Sequence, residues 1–249
     1  MIEARGKTGR VLRALVAMIS GSTLVLAASL ILIRHCVEAE AEQRAAEILG
    51  SMAKETLSDD SLAKAATAHV YKALIGGAGS ASPPILVRLR PYLASSFIPR
   101  PARVRTGAID LVYLDMFCDN AARALGFVLE EAGFETSQLN IVTPGNAHTV
   151  LLARNPQGRE FLLDPYAGIV PESNGRLLGP EDARTLARQG VPAEEIWNQL
   201  EPGQEFPDFY REFAEAVYAR QGEPLEITAV VTLPEGKLLQ LGTADKSPA

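Results

Sequence analysis

The sequence predicts an α+β domain carried behind a single membrane-spanning helix. Three observations predict it. Residues 14–33 contain no charge and no proline. A helical pattern beginning near Asp115 places Cys118 in its first turn. Strand patterns follow over residues 139–142, 148–153 and 160–164.

The apolar run comes first. At ~1.5 Å per residue it reaches ~30 Å, the thickness of the hydrocarbon layer. A core helix rarely stays uncharged that long. A cleaved signal segment is the stronger rival, but its apolar stretch is shorter and ends in small residues. Here the run ends at Ile33-Arg34-His35, and Cys36 lacks the small residue before it that a lipoprotein site needs. The expectation is an uncleaved anchor.

Charge sets its orientation. The chain carries a net −6, yet residues 1–13 hold Arg5, Lys7, Arg10 and Arg13 against Glu3, leaving the remainder strongly acidic. Basic residues before the span and Glu38, Glu40 and Glu42 after it place the N-terminus in the cytoplasm. The main domain is then periplasmic or extracellular, tethered to the cytoplasmic membrane. An acidic body argues against nucleic acid as a partner.

The elements after the span follow in order. Residues 37–57 read as a helical stalk with a solvated charged face. Asp60 is placed to N-cap a second helix running to about Ile75. Residues 76–84, GGAGSASPP, read as a linker, and residues 85–97 as a short helix broken near Pro91. Asp115 is placed to cap the next helix, to about Ala132, and Gly133 stands where a helix end favours glycine. After the three strands, residues 180–189 and 192–200 read as short helices and 207–220 as a longer one. Residues 225–233 read as a strand and 242–249 as a disordered tail. The resulting division is a basic terminus (1–13), a span (14–33), a stalk and linker (34–84), a domain (85–241) and a tail (242–249).

Two cysteines are too few for a disulfide scaffold, and no His/Cys cluster has metal-ligand spacing. Cys36 reads as an incidental thiol and Trp197 as core. Cys118 is different. At a helix N-terminus, unpaired backbone N–H groups and the helix dipole favour a thiolate. Asp115 and Asp119 oppose this, unless Asp115 is engaged in capping and Asp119 points to solvent.

His148 opens one strand and Asp164 closes another, with Arg154-Asn155-Pro156-Gln157-Gly158 between them as a turn. If the loop is residues 154–158, His148 faces Asp164 directly, with Cβ atoms ~4.5–5.5 Å apart. A four-residue loop would put the two on opposite faces. The direct pairing gives a nucleophile, a base and an orienting carboxylate. The backbone N–H of Cys118 is a natural oxyanion donor, and Tyr113, just upstream, is the candidate for a second.

The run FCDNAARALGFVLEEAGF, then HTVLL, then LLDPYAG resembles the transglutaminase-like superfamily. Members place a Cys at a helix start, then a His and an Asp on adjacent strands. Ala121, Gly133 and the Asp164-Pro165 pair also fit. The resemblance covers about residues 105–168. It implies a papain-like α+β core and acyl-transfer chemistry on a peptide or amide-containing substrate, a cell-envelope polymer among the options, through a thioester. It implies no metal or organic cofactor. Asp119 stands where animal cross-linking members have an aromatic, so protein cross-linking is not implied. Membrane-anchored bacterial members look more like cysteine peptidases or amidases. The alternative is a non-catalytic binding module of the same fold in an envelope assembly or secretion system.

Overall fold

No proline occurs before Pro83, so nothing breaks the helix that the apolar run and the Ala- and Glu-rich stretch after it both favour. In the computed structural model the described residues are 3–52, 58–75, 92–94, 97–113, 117–143, 146–201, 230–232 and 238–240. Span and stalk form one helix, α1 (Glu3–Met52). Its residues from Ser22 onward are long and apolar enough to cross a membrane. Leu24, Val25, Leu26 and Leu32 are exposed. Val37, Ala41, Ala45 and Ile48, at helical spacing, are buried in the main core. The expected stalk therefore packs on the domain rather than standing clear of it.

Helix α2 (Asp59–Ile75) starts one residue before the cap expected at Asp60. Ser58 accepts the Ser61 N–H instead, at 3.3 Å. That leaves the two aspartates for tertiary contacts. Asp59 Oδ2 accepts from Asn155 Nδ2 at 2.7 Å. Asp60 pairs with Arg159 and accepts the Leu177 N–H at 3.2 Å.

A 3-10 turn (Arg100–Ala102) leads into α3 (Thr106–Val112), and α4 (Cys118–Glu131) follows. A Cβ on Gly107 of α3 would lie 2.7 Å from the Arg123 carbonyl oxygen and 3.1 Å from Phe127 Cβ, so the two helices touch backbone to backbone there. Leu125, Phe127, Val128 and Leu129 of α4 are buried. Gly133 ends the helix at φ +87°, as its position predicts.

The sheet is antiparallel, in the order β1 (Glu135–Thr143), β2 (Asn146–Arg154) and β3 (Glu160–Leu163). Leu151, Ala153, Phe161 and Leu163 join the core of α1 to α4, while Val150 and Leu162 alternate onto the other face. That second face is covered by α5 (Pro180–Arg188), α6 (Ala193–Ile196) and a smaller sheet. The smaller sheet has the order β5 (Arg176–Leu177), β4 (Ile169–Ser173) and β6 (Trp197–Gln199). Trp197 is 1% exposed, a core residue as expected.

Three readings change. Residues 197–199, expected in a helix, pair with β4 because α6 stops after one turn and buries Trp197 against Pro171. The β4–β5 hairpin was not expected, although Asn174 and Gly175 (φ 52° and 75°) supply its turn. The β2–β3 loop is residues 155–159, because Arg154 stays in the ladder opposite Glu160. Within 225–233, residues 230–232 form β7, paired with β8 (Leu238–Gln240). The linker 76–84, the break at Pro91, the helix 207–220, the tail 242–249 and Asp115 lie outside the described residues. Mixed helix and sheet, with a long apolar N-terminal helix, is the observed architecture.

Candidate active site

Helix α4 begins at Cys118, with Phe117 as an extended N-cap residue (φ −118°, ψ 145°) that offers no side-chain cap. The Ala121 N–H bonds the Phe117 carbonyl at 3.0 Å, so the helix N–H groups ahead of it precede the intrahelical ladder, and the half-buried thiol stands beside them. Both cysteines are unbridged, Cys36 exposed on α1.

His148 and Asp164 reach each other, although not as direct partners. The β2–β3 ladder pairs Leu151 with Leu163 and Leu152 with Leu162. Carried on by one step, that register sets Asp164 opposite Val150, two residues from His148. The shift of two keeps both side chains on one face, where diagonal neighbours remain within reach of long side chains. His148 Nε2 lies 2.5 Å from Asp164 Oδ2, with the histidine 6% exposed and the aspartate 0%.

Asp164 is held from both sides. Its Oδ1 accepts the backbone N–H groups of Tyr166 and Ala167, each at 3.0 Å. Its backbone forms a bridge with Ile169, closing the turn at Gly168 (φ +65°). The carboxylate thus has fixed partners for both oxygens and one direction for the imidazole. Tyr166 places its ring 5.8 Å from the His148 ring, centroid to centroid, tilted by 59°. Tyr166 itself is exposed.

The thiol completes the line. Burial pushes the Cys118 thiol up. The hydrogen bond to His148, the Thr149 backbone N–H, the imidazolium charge and the Thr149 hydroxyl pull it down further, so it sits below its ordinary value. The ladder to β3 ends at Leu151, so the Thr149 N–H on the open edge of β2 is available to sulfur. Burial pushes His148 down, but the Asp164 charge and hydrogen bond, with the Cys118 contact, raise it to about 10. The two shifts favour a thiolate facing an imidazolium.

Asp119, the charge that opposed a thiolate in the sequence, does not simply face solvent. Its carboxylate lies 2.9 Å from Arg123 Nη2, one helical turn on. Arg123 also pairs with the fully buried Asp110 of α3 and donates to Asn120 Oδ1 at 2.5 Å. Gln138 of β1 donates to the Asp119 carbonyl at 2.8 Å, fixing the first turn of α4 against the sheet.

Tyr113 is buried at the end of α3. Burial raises its phenol, and the charges bearing on it are Glu40 and Arg44 of α1. Its setting is thus against α1, and Tyr113 is not among the groups that bear on the thiol. Thr149, Tyr166, Asn120 and Arg123 were not singled out from the sequence. Only Arg123 carried a readable signal, its i,i+4 spacing from Asp119.

No family model, no curated protein and no solved structure matches the chain.

Proposed function

We propose that the chain is a membrane-anchored, extracytoplasmic cysteine hydrolase or acyltransferase of transglutaminase-like type, acting on amide or peptide bonds. The observation that carries this reading is the buried His148 ring, held by Asp164 on one nitrogen and hydrogen-bonded to Cys118. In the reaction, the Cys118 thiolate attacks the amide carbon. The oxyanion that forms meets backbone N–H groups at the start of α4, Cys118's own among them. Collapse of the intermediate breaks the C–N bond, and the His148 imidazolium gives its proton to the leaving amine. A thioester remains on Cys118. Water or a second amine then attacks it, losing a proton to His148 as the thiolate departs. Asp164 keeps the ring oriented throughout. The apolar helix supports anchoring by a single pass, with the basic residues 1–13 on the cytoplasmic side.

Labelling with an electrophilic acyl probe tests the reading, comparing wild type with Cys118→Ala, His148→Ala and Cys36→Ala. Labelling is expected to vanish without Cys118, to fall sharply without His148, and to persist without Cys36. Labelling that ignores His148 would instead favour a non-catalytic binding module of the same fold.

A further inference from the structure

Helix α1 does not carry the domain away from the membrane. Leu30 and Ile33, still inside the apolar run, are partly buried against the main core. One residue past the run, Arg34 Nη1 donates to the Pro101 carbonyl at 2.9 Å, and Nη1 also lies 3.4 Å from the Arg100 carbonyl. Whatever touches Leu30, Ile33 and Arg34 shares their depth in the bilayer. The 3-10 turn at residues 100–102 is therefore level with the exit of the span.

Phe97 lies three residues before that turn, so its Cα is within ~10 Å of Arg100. Its side chain is 96% exposed, more than any other large apolar residue described. The loop bearing it is well tied: Arg103 Nη2 donates to the Ile98 carbonyl at 3.1 Å, and the Ala102 N–H to the Pro99 carbonyl at 2.9 Å. Arg100 and Arg103 follow it in the sequence, and Arg34 of α1 reaches the same turn. The nearest acid on α1, Glu38, is paired with Arg34. An exposed aromatic with arginines beside it in the sequence, at the level where a span leaves hydrocarbon, fits the headgroup layer.

We infer that residues 97–101 form a foot resting on the membrane that α1 crosses, with the Phe97 ring at the boundary of headgroups and acyl chains. This rests on the anchoring reading above. The consequence for the site follows from helix direction. Arg105, before α3, is held by Glu38 and Glu42, and Val112, at its end, by Arg44, so α3 runs outward along α1. Arg105 meets Glu131, and Asp110 meets Arg123, so α4 runs back toward the membrane. Cys118 then stands at the end of α4 away from the membrane, separated from Glu131 by up to about 20 Å of helix at 1.5 Å per residue. The foot and the unbroken α1 together fix the height of the thiol, which suits a substrate held at a set distance from the bilayer.

The test uses the full chain in nanodiscs of phosphatidylcholine and phosphatidylglycerol, with and without phosphatidylcholine brominated near the headgroup. Trp197 is the chain's one tryptophan and is buried, so wild-type emission provides a constant background. Phe97→Trp is expected to add a blue-shifted emission that bromine largely abolishes. Phe117→Trp, beside Cys118 and 63% exposed in the native residue, is expected to add a water-exposed emission that bromine leaves intact. Phe97→Trp emission that is water-exposed and unquenched, in a chain that resists alkaline carbonate extraction, would overturn the foot and leave the anchor standing. Release by carbonate would overturn both.

Discussion

Asp164 grips His148 across a diagonal of the β2–β3 ladder, with Oδ2 2.5 Å from Nε2 and Oδ1 committed to the N–H groups of Tyr166 and Ala167. The carboxylate cannot turn without losing those two bonds, so it keeps the Nε2 proton in place and leaves Nδ1 to face the thiol. Asp164→Asn preserves the acceptor for Tyr166 and Ala167 but presents an N–H to Nε2. The ring must then carry its proton on Nδ1, where it cannot accept one from sulfur. The acylation rate, followed by single-turnover labelling, is expected to fall by roughly 10²–10⁴-fold with the fold retained. An unchanged rate contradicts the orienting role.

Arg123 joins two tasks. It neutralises Asp119 beside the thiol, and it is the charge partner of Asp110, which is 0% exposed. Arg123→Met removes the ion pair to a fully buried carboxylate and is expected to cost about 1.5–3 kcal/mol in denaturant unfolding. It also leaves the Asp119 charge uncompensated, so Cys118 alkylation at acidic pH should slow. Adding Asp110→Asn should restore part of the stability without restoring the alkylation rate, since Asp119 remains. Recovery of both together would mean that Asp119 has no influence on the sulfur.

The raised pKa of His148 makes stability pH-dependent. An unfolded histidine titrates near 6.5, and the folded one near 10. The stabilisation by the imidazolium is complete below the unfolded value and is lost as pH rises through the folded one. The unfolding free energy of wild type, measured against His148→Gln, is therefore expected to shrink as pH rises from about 6.5 toward 10. Cys118, shifted down, acts in the opposite sense: its thiolate contributes above the unfolded thiol's pKa and ceases to contribute as pH falls through the lowered value. A pH-independent difference between wild type and His148→Gln contradicts the paired state.

Gly168 shapes the turn that presents Asp164 and Tyr166. It sits at φ +65°, and a Cβ there would lie 2.8 Å from the Tyr71 ring. Gly168→Ala combines ~1–2 kcal/mol of left-handed strain with the displacement of a packed ring. Gly158→Ala, at φ +83° with nothing within 4 Å, carries only the strain. Thermal unfolding is expected to place the first variant clearly below the second, and only the first should slow labelling of Cys118. Equal melting temperatures would show that Tyr71 yields freely.

The sequence made the face of each strand residue legible but not the register. Alternation requires only that the pairing shift by an even number, and the shift of two kept His148 beside Asp164. The register itself was set by side chains that composition does not reveal. Asn155 Oδ1 accepts the Arg159 N–H at 2.8 Å and closes the loop one residue later than the turn signal suggested. Arg154 meanwhile reaches Glu160 at 2.7 Å across the ladder. The Asn174-Gly175 pair is a legible turn signal. The packing of residues 37–48 was written in the spacing of Val37, Ala41, Ala45 and Ile48, whose small side chains gave a weak apolar stripe amid Glu and Arg. Thr149 and Tyr166 acquire roles only through the strand edge and the turn, which no local pattern marks.

The pH dependence of Cys118 alkylation, in wild type and in His148→Ala on a Cys36→Ala background, tests the central claim most directly. A thiolate held by an imidazolium predicts a wild-type rate that stays high at pH 6, where an ordinary thiol with pKa ~8.5 is almost wholly protonated, and a His148→Ala rate that falls there. Two superimposed profiles, each climbing only as pH approaches that of a free thiol, would contradict it.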